Sequence, residues 1–308
     1  MKIFVHVGAH KSASTTIQRN FRQNKTALRQ RYGIYFLEHP DLVGSSFYKH
    51  FHSRAYLEDG AAGDTLEGLR RSFASVVRRC PEDATVLISA EGFLSHSGLH
   101  KYGGLYPHAP RMLEALGPIL APHDVSVILI TRRQDTFIES CYLQQVKEGR
   151  YLTFTDFYAA IDHDRLSWLP IAQAAHRQFG RDRMLVRPFE EIVDGTDAFL
   201  RTILGFVTDR EIADLKIRQS ANPSISQLGV DLALATYPLL QGKVPPSVFK
   251  EHRHYLFREF SSAKYPKAVL LDSEARNAIL ARCRDDNETL FRDYIPDLRP
   301  DTYSGQAG

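Results

Sequence analysis

Short apolar runs separated by amphipathic segments fill the first two thirds of the chain. Five runs have the length of a buried strand, and we predict β-strands at 3–7, 33–37, 85–89, 125–130 and 184–187. Continuous rather than alternating apolar residues are typical of parallel strands that helices cover on both faces. The pattern therefore predicts an α/β fold with a central parallel sheet flanked by helices.

The segments between the strands carry apolar residues every three or four positions, as one face of a helix does. Helices are predicted at about 14–31, 65–79, 111–120, 135–147, 153–161, 167–179, 196–203 and 209–215. Beyond residue 226 the pattern is helical only, with helices at 228–237, 246–260 and 273–294. We expect one domain over 1–308, with an α/β core at 1–225 and a mostly helical C-terminal part at 226–300. The residues after Asp301 are expected to fray.

Composition narrows the class of protein. The 308 residues are 43% hydrophobic and 24% charged with a net charge of +3, which suits a globular protein and does not favour a nucleic-acid partner. We see no apolar run of membrane-spanning length and no signal peptide. The three cysteines are far apart and have no metal-ligand spacing. We therefore expect a cytoplasmic protein without a metal site; its oligomeric state stays open.

The loop after the first predicted strand combines small residues, hydroxyl residues and one lysine. Gly8 ends the strand, Lys11 adds a positive charge, and the alanines at 9 and 13 let the backbone approach a ligand closely. Backbone N–H groups and the dipole at the following helix start attract an anion. Further donors are the hydroxyls of Ser12, Ser14, Thr15 and Thr16. The loop therefore predicts a phosphate-binding site, although an ordinary strand–turn–helix with a polar loop has the same pattern.

The loop differs from the Walker A pattern GxxxxGK[ST] in the place of its lysine. Counted from Gly8, the second glycine of that pattern falls on Ala13 and its lysine on Ser14. The lysine at position 11 would instead reach the edge of a 5′-phosphate. A P-loop kinase or other NTP-using enzyme is thus an alternative, and a non-catalytic binding module is another.

A second candidate site follows the fourth predicted strand. Arg132 lies at the strand end and Ser140 on the next helix. Ligands of such sheets bind at the carboxyl ends of the strands, and a guanidinium suits a phosphate because its donors form a fork. Arg132 and Ser140 are therefore predicted to hold a phosphate. Arg133 is the off-register alternative, and both arginines could instead be solvated or paired with Asp135 and Glu139.

Both segments resemble motifs of sulfotransferases that use 3′-phosphoadenylyl sulfate (PAPS). The 5′-phosphosulfate loop of that family is K-[ST]-G-[ST]-[TS], and residues 11–15 match it except for Ala13 in place of glycine. The family holds the 3′-phosphate with an arginine and a serine eight residues later, the spacing of Arg132 and Ser140. Weaker resemblance to bacterial sulfotransferase-like proteins extends to 132–144, 186–190, 222–226 and Asn287.

The resemblance implies a P-loop-type fold and sulfuryl transfer from PAPS to an acceptor hydroxyl, with adenosine 3′,5′-bisphosphate (PAP) as the other product and no metal. Lys11 would neutralise charge on the leaving phosphate. The acceptor would be a glycan or another small molecule, and the sequence leaves its identity open, as it does the aromatic residue that stacks on adenine. The implied donor-binding residues are His10, Lys11, Ser12, Ala13, Ser14, Thr15, Thr16, Arg132 and Ser140.

The general base is a further implied residue, since members of the family use a histidine or a glutamate. Glu91, just past the third predicted strand, is the first candidate. Glu38 and His39, at the end of the second strand, follow closely. The predicted loops at 41–63 and 95–110 would contact the acceptor.

Overall fold

The computed structural model describes residues 1–57, 65–94, 96–219 and 223–304. Its strands are β1 (Lys2–Gly8), β2 (Ile34–Glu38), β3 (Thr85–Ser89), β4 (Asp124–Thr131) and β5 (Met184–Pro188). They form one sheet in the order β2-β3-β1-β4-β5, and every adjacent pair is parallel. The predicted α/β class is confirmed, and each predicted strand end lies within one residue of the observed one.

The helices of the first two thirds of the chain are α1 (Ser14–Gln23), α2 (Lys25–Tyr32), α3 (His39–Leu42), α4 (Ser46–His52), α5 (Leu66–Val77), α6 (Leu99–Tyr102), α7 (Ala109–Leu120), α8 (Gln134–Lys147), α9 (Phe154–Ala159), α10 (Leu169–Phe179), α11 (Glu191–Asp194) and α12 (Thr196–Val207). The C-terminal part is mostly helical, as predicted. It contains α13 (Gln227–Leu240), α14 (Pro246–Glu259), α15 (Ser273–Arg282), α16 (Arg284–Tyr294) and α17 (Asp301–Ser304). Within the described ranges, no helix has the length and apolar character needed to cross a membrane.

Helices cover both faces of the sheet, which explains the continuous apolar strands. Val5 and Val7 face a large cluster that includes buried residues of α4, α5, α7, α8 and α10. Phe4 and Ile128 face the other side, where α1, α2 and α12 supply Phe21 and other apolar side chains. The strands are therefore buried on both faces, and the covered sheet supports the loops at its carboxyl edge.

The predicted helix at 209–215 is wrong, and the reason lies in α1 and α2. Residues 209–219 have no regular secondary structure, and side chains of the first two helices bind their backbone. The Asn24 amide donates to the Lys216 carbonyl at 2.9 Å and accepts from the Lys216 N–H at 2.9 Å. Asn20 makes the same kind of pair with Arg218. These bonds replace the intrahelical ones, and Asn24 also separates α1 from α2 where one helix was predicted.

The end of the described chain is ordered rather than frayed. Tyr303 in α17 is buried, and its hydroxyl donates to the Thr131 hydroxyl oxygen at 2.7 Å. The C-terminal segment is therefore attached to the end of β4, next to Arg132. Residues 305–308 lie outside the described residues, as do 58–64 and Ser95 of the predicted acceptor loops and Asn222 of the 222–226 segment.

Candidate active site

The first loop begins at a glycine that no other residue replaces easily. Gly8 ends β1 with φ +107°, outside the range that L side chains favour. A Cβ there would lie 3.0 Å from the carbonyl oxygen of Glu91 and 3.1 Å from its Cα. Because residue 8 has no side chain, the loop after β1 can contact the loop after β3. This contact brings Glu91 to the start of the predicted phosphate-binding loop.

The loop backbone forms a concave cradle ahead of α1. Lys11 and Ala13 adopt left-handed conformations, with φ 63° and 61°, on either side of Ser12. The Ser14 hydroxyl donates to the Ala9 carbonyl at 3.0 Å, and the Ile17 N–H makes the first helical bond to the Ala13 carbonyl. The N–H groups at the start of α1 have no acceptor within the helix, and its first turn holds no acidic residue. Such a cradle favours an anion.

A cavity of about 610 Å³ opens over this cradle at the carboxyl edge of the sheet. Its wall combines the first loop with the end of β3, the end of β4, α8 and parts of the C-terminal region. It is lined by His10, Lys11, Ala13, Ser14, Thr15, Thr16, Glu91, Arg132, Ser140, Leu143, Gln144, Lys147, Phe189, Ile192, Pro223, Ser224, Ile225 and Phe257. The two segments that the sequence singles out therefore share one cavity.

Arg132 is held in place by four contacts. Its guanidinium donates to the Lys11 carbonyl at 2.6 Å and to the Thr136 hydroxyl at 3.1 Å, and it stacks on the Phe189 ring at 4.4 Å. The Trp168 indole N–H donates to the Arg132 carbonyl at 2.7 Å. An arginine has five side-chain N–H groups, and two make these bonds, so three have no acceptor among the described residues. They are available to an anion in the cavity.

No protein-family model matches the sequence, and no curated protein matches it. One similar solved structure is described as a sulfotransferase from Alicyclobacillus acidocaldarius. It is 15% identical, with a TM-score of 0.44, and the alignment covers 80% of this chain and 98% of the other. Similarity at this level does not identify a reaction.

The charged side chains of the cavity wall affect one another. Burial lowers the pKa of the Lys11 ammonium, and the nearby charges of Lys147 and Arg132 act in the same direction. Burial raises the pKa of the Glu91 carboxyl, whereas Ser14, Lys11 and His39 oppose that rise. The single hydroxyl proton of Ser14 can serve either the Ala9 carbonyl or the Glu91 carboxylate. The wall thus holds a concentrated positive charge beside a carboxylate that protonates more easily than an exposed one.

Most of the donor-binding loop residues predicted from the sequence contribute to the cavity wall, but Ser12 does not. The Ser12 side chain is fully buried, and its hydroxyl has no partner among the described residues. Its contribution to a ligand would therefore come from its backbone.

Arg133, the off-register alternative, does not line the cavity either. Its guanidinium, 9% exposed, binds both carboxylate oxygens of Asp135 at 2.7 and 2.9 Å. Arg132 is thus the arginine of the pair that faces the cavity.

The three candidate bases have different surroundings. Glu91 lines the cavity, with one carboxylate oxygen 3.7 Å from Nδ1 of His10. Glu38 does not reach it, because both its oxygens accept from Arg22, at 2.8 and 2.6 Å, and its side chain caps α3. His39 also lies outside the cavity wall, exposed at the start of α3 with its ring against Tyr48. The structure therefore brings only the first candidate to the cavity.

Several lining residues were not predicted from the sequence. Lys147 stands seven residues after Ser140, with Gln144 between them, so a helical period marks all three as one face of α8. That signal was available. Phe189 lies in the 186–190 segment of weaker resemblance, which assigned it no role. Phe257 comes from a segment far along the chain, and nothing in its local sequence distinguishes it from a core residue. No cluster of three or more His, Cys, Asp or Glu side chains placed to hold a metal ion occurs in the described part of the chain.

Proposed function

We propose that this protein is a sulfotransferase that moves a sulfuryl group from PAPS to an acceptor hydroxyl and releases PAP. The observation that carries the proposal is that Lys11 and Arg132 line one cavity and are joined by a hydrogen bond of 2.6 Å from the arginine to the lysine carbonyl. The Arg132 charge also acts on the Lys11 ammonium and lowers its pKa, and two cationic groups that line one cavity suit a single ligand with two anionic ends. The cavity volume of about 610 Å³ lies within the range of small-molecule sites, about 300–1,000 Å³.

Each end of the donor has a proposed partner. The N–H groups at the start of α1 would hold the 5′-phosphate, with the hydroxyls of the loop as further donors. Arg132 would bind the 3′-phosphate with its remaining N–H groups, and Ser140 on the same cavity wall would add a hydroxyl. With both phosphates held, the sulfuryl group is fixed in one position relative to Glu91.

The transfer needs a base on one side of the sulfur and charge stabilisation on the other. Glu91 would take the proton of the acceptor hydroxyl while the acceptor oxygen bonds to sulfur. The bond between sulfur and the bridging phosphate oxygen breaks, and the Lys11 ammonium would neutralise the charge that develops on that oxygen. This division of roles is supported by the presence of the Glu91 carboxylate and the Lys11 ammonium in the lining of the same cavity.

Nucleotide binding tests the proposal without knowledge of the acceptor. We expect PAP to raise the melting temperature without Mg²⁺ and to bind more tightly than 5′-AMP, which lacks the 3′-phosphate. Lys11→Ala and Arg132→Gln should each weaken PAP binding, whereas Lys243→Ala, an exposed lysine outside the cavity, serves as the matched control. Stabilisation by Mg-ATP and none by PAP would favour an NTP-using enzyme instead.

Activity is the second test. A screen for transfer of labelled sulfate from PAPS to glycans and small metabolites should return an acceptor, and Lys11→Ala should abolish the transfer. A protein that binds PAP but transfers sulfate to no member of the screen would favour the non-catalytic alternative.

A further inference from the structure

A row of aromatic rings leads away from the cavity on the side of Glu91. His10, which lines the cavity, has its ring centroid 5.7 Å from that of His96. The His96 ring in turn lies 5.3 Å from that of His52, which is exposed. The rings thus form a continuous path from the cavity wall to the surface.

Packing against the end of β3 fixes this path. The ring of the buried Tyr48 lies 5.6 Å from that of His52. A Cβ at Gly92 would lie 2.9 Å from the Tyr48 hydroxyl oxygen and 3.5 Å from Cδ2 of His52. Because residue 92 has no side chain, both rings pack directly on the backbone that follows Glu91. The path is therefore packed directly beside the candidate base.

Arg54 adds a positive charge beside the rings. Its backbone is left-handed, with φ 61°, and its guanidinium lies over the Tyr102 ring at 4.4 Å. No carboxylate among the described residues lies within ion-pair distance of this guanidinium. Its charge acts on His96 and His108, whose pKa values burial already lowers. An arginine half-buried on an aromatic ring, without a carboxylate partner in the described chain, is suited to bind an anion from outside.

His96 contributes hydrogen bonds rather than charge. Burial, with the nearby positive charge of Arg54, lowers the pKa of its imidazole to about 4. At neutral pH the ring therefore offers one donor and one acceptor. A neutral imidazole between aromatic faces and a guanidinium suits a hydroxylated molecule that has both apolar C–H surface and an anionic group.

We propose that this surface, the imidazole strip (His10, His52, His96, Arg54 and Tyr102), binds the acceptor, and that the acceptor is a hydroxyl compound carrying a carboxylate or similar anion. The inference rests on the proposed function, since it assigns the second substrate of the same site. An acceptor lying along the strip with its anion at Arg54 has its other end at His10 and Glu91, where the proton is removed. The strip shares only His10 with the proposed donor site, so both substrates can bind together.

A pair of glycosides that differ at one carbon tests the charge requirement. p-Nitrophenyl β-D-glucuronide carries a carboxylate where p-nitrophenyl β-D-glucoside carries a hydroxymethyl group. Their dissociation constants can be measured by ligand-observed NMR with PAP at saturation. We expect the wild-type protein to bind the glucuronide about five- to tenfold more tightly than the glucoside.

Variants of Arg54 assign the preference to its guanidinium. Arg54→Asn removes the charge while keeping a residue that tolerates the left-handed backbone, and the glucuronide preference should fall to about one. Arg54→Lys keeps the charge without the fork and should give an intermediate ratio. Arg177→Gln, an exposed arginine on α10, is the matched control and should leave the ratio unchanged.

The outcomes separate this inference from the proposed function. Equal binding of the two glycosides by the wild type, a preference that survives in Arg54→Asn, or no binding of either at millimolar concentration overturns the assignment of the strip. If PAP still binds all the variants normally, the donor site stands and only the acceptor proposal fails. A wild-type protein that does not bind PAP overturns both.

Discussion

The guanidinium of Arg132 donates a hydrogen bond of 2.6 Å to the main-chain carbonyl oxygen of Lys11, 121 residues earlier in the chain. This bond joins the end of β4 to the loop after β1. It also occupies the carbonyl, which would otherwise present a negative dipole to an anion beside the loop. Arg132 therefore has two roles in the proposed site: it orders the first loop and it keeps free donors for a ligand.

The first prediction concerns two adjacent arginines: Arg132 lines the cavity, whereas Arg133 is buried in an ion pair with Asp135. Arg132→Gln removes donors from the cavity, and we expect PAP affinity to fall about 10- to 100-fold, as for charge-assisted hydrogen bonds of about 1.5–3 kcal/mol. Arg133→Gln leaves the fully buried Asp135 with one cation fewer, although Arg276 still binds it at 2.7 Å. That variant should lose about 2–4 kcal/mol of unfolding free energy and keep its PAP affinity.

Calorimetry with PAP and urea unfolding of the same two proteins check this division. Wild-type PAP affinity in Arg132→Gln would contradict the proposed phosphate role. A larger loss of affinity in Arg133→Gln than in Arg132→Gln would move that role to the off-register arginine.

The second prediction contrasts Glu91 with Glu38 as the general base. With the acceptor found in the sulfate screen, Glu91→Gln should lower turnover about 100-fold or more, the usual contribution of a general base. Glu38→Gln should leave turnover near the wild-type value and lower the free energy of unfolding by about 1–2 kcal/mol, because the Arg22 pair and the cap of α3 are weakened. Near-normal turnover in Glu91→Gln would reject it as the base.

The raised pKa of Glu91 also predicts how the rate and the stability change with pH. Burial raises the pKa of Glu91 above its usual 4.5, so the acid limb of the rate profile should lie above pH 4.5. A raised folded-state pKa means that the folded protein binds the extra proton, and stability falls as pH rises through that pKa. Glu91→Gln should therefore be more stable than the wild type at neutral pH, and its unfolding free energy should lack that pH dependence.

His6 is the third prediction, because it is buried and neutral. Its Nδ1 lies 2.8 Å from the Ser89 hydroxyl, and burial lowers its pKa from 6.5 to about 4. Between these pH values the His6 imidazole is protonated in the unfolded state but not in the folded state, so stability is lost as pH falls from 6.5 towards 4. At about 1.4 kcal/mol per pH unit the loss is about 3 kcal/mol.

Urea unfolding between pH 7 and 4 measures this loss. His6→Asn can keep a bond to Ser89 without a group that titrates in this range, and we expect a flatter dependence on pH. His254→Asn, an exposed histidine of α14, is the control and should follow the wild type. Equal slopes for His6→Asn and the wild type would show that another group governs the acid sensitivity.

The fold was largely predictable because the strands are buried on both faces and their apolar runs have clear ends. What local patterns could not predict is bonding between distant segments. The amphipathic spacing of 209–215 favours a helix, but Asn20, Asn24 and Tyr32 bind the backbone of this region, which has no regular secondary structure. Tyr303 likewise stands in a tail of polar residues, and its burial comes from distant partners, the Thr131 hydroxyl and the Phe291 ring.

The site was predictable where chemistry and strand ends coincide, as for Lys11 and Arg132. The sequence ranked Glu91 only narrowly above Glu38, since both stand at the end of a predicted strand. The difference is that Arg22, in the last turn of α1, binds Glu38, whereas Glu91 lies against Gly8. The roles assigned to these residues stay predictions until the variants are measured.

Two glycines with positive φ give the last prediction. At Gly33, with φ +68°, a Cβ would meet nothing within 4 Å, so Gly33→Ala should cost only the left-handed backbone penalty, about 1 kcal/mol. At Gly8, with φ +107°, the same methyl group would lie 3.0 Å from the Glu91 carbonyl oxygen. Backbone on both sides cannot move without shifting the sheet edge, so Gly8→Ala should cost about 2–4 kcal/mol and weaken PAP binding as well. Urea unfolding and PAP titration of both variants measure the contrast. Equal costs, or a Gly8→Ala protein that binds PAP normally, would mean that the contact between the two loops does not shape the cavity.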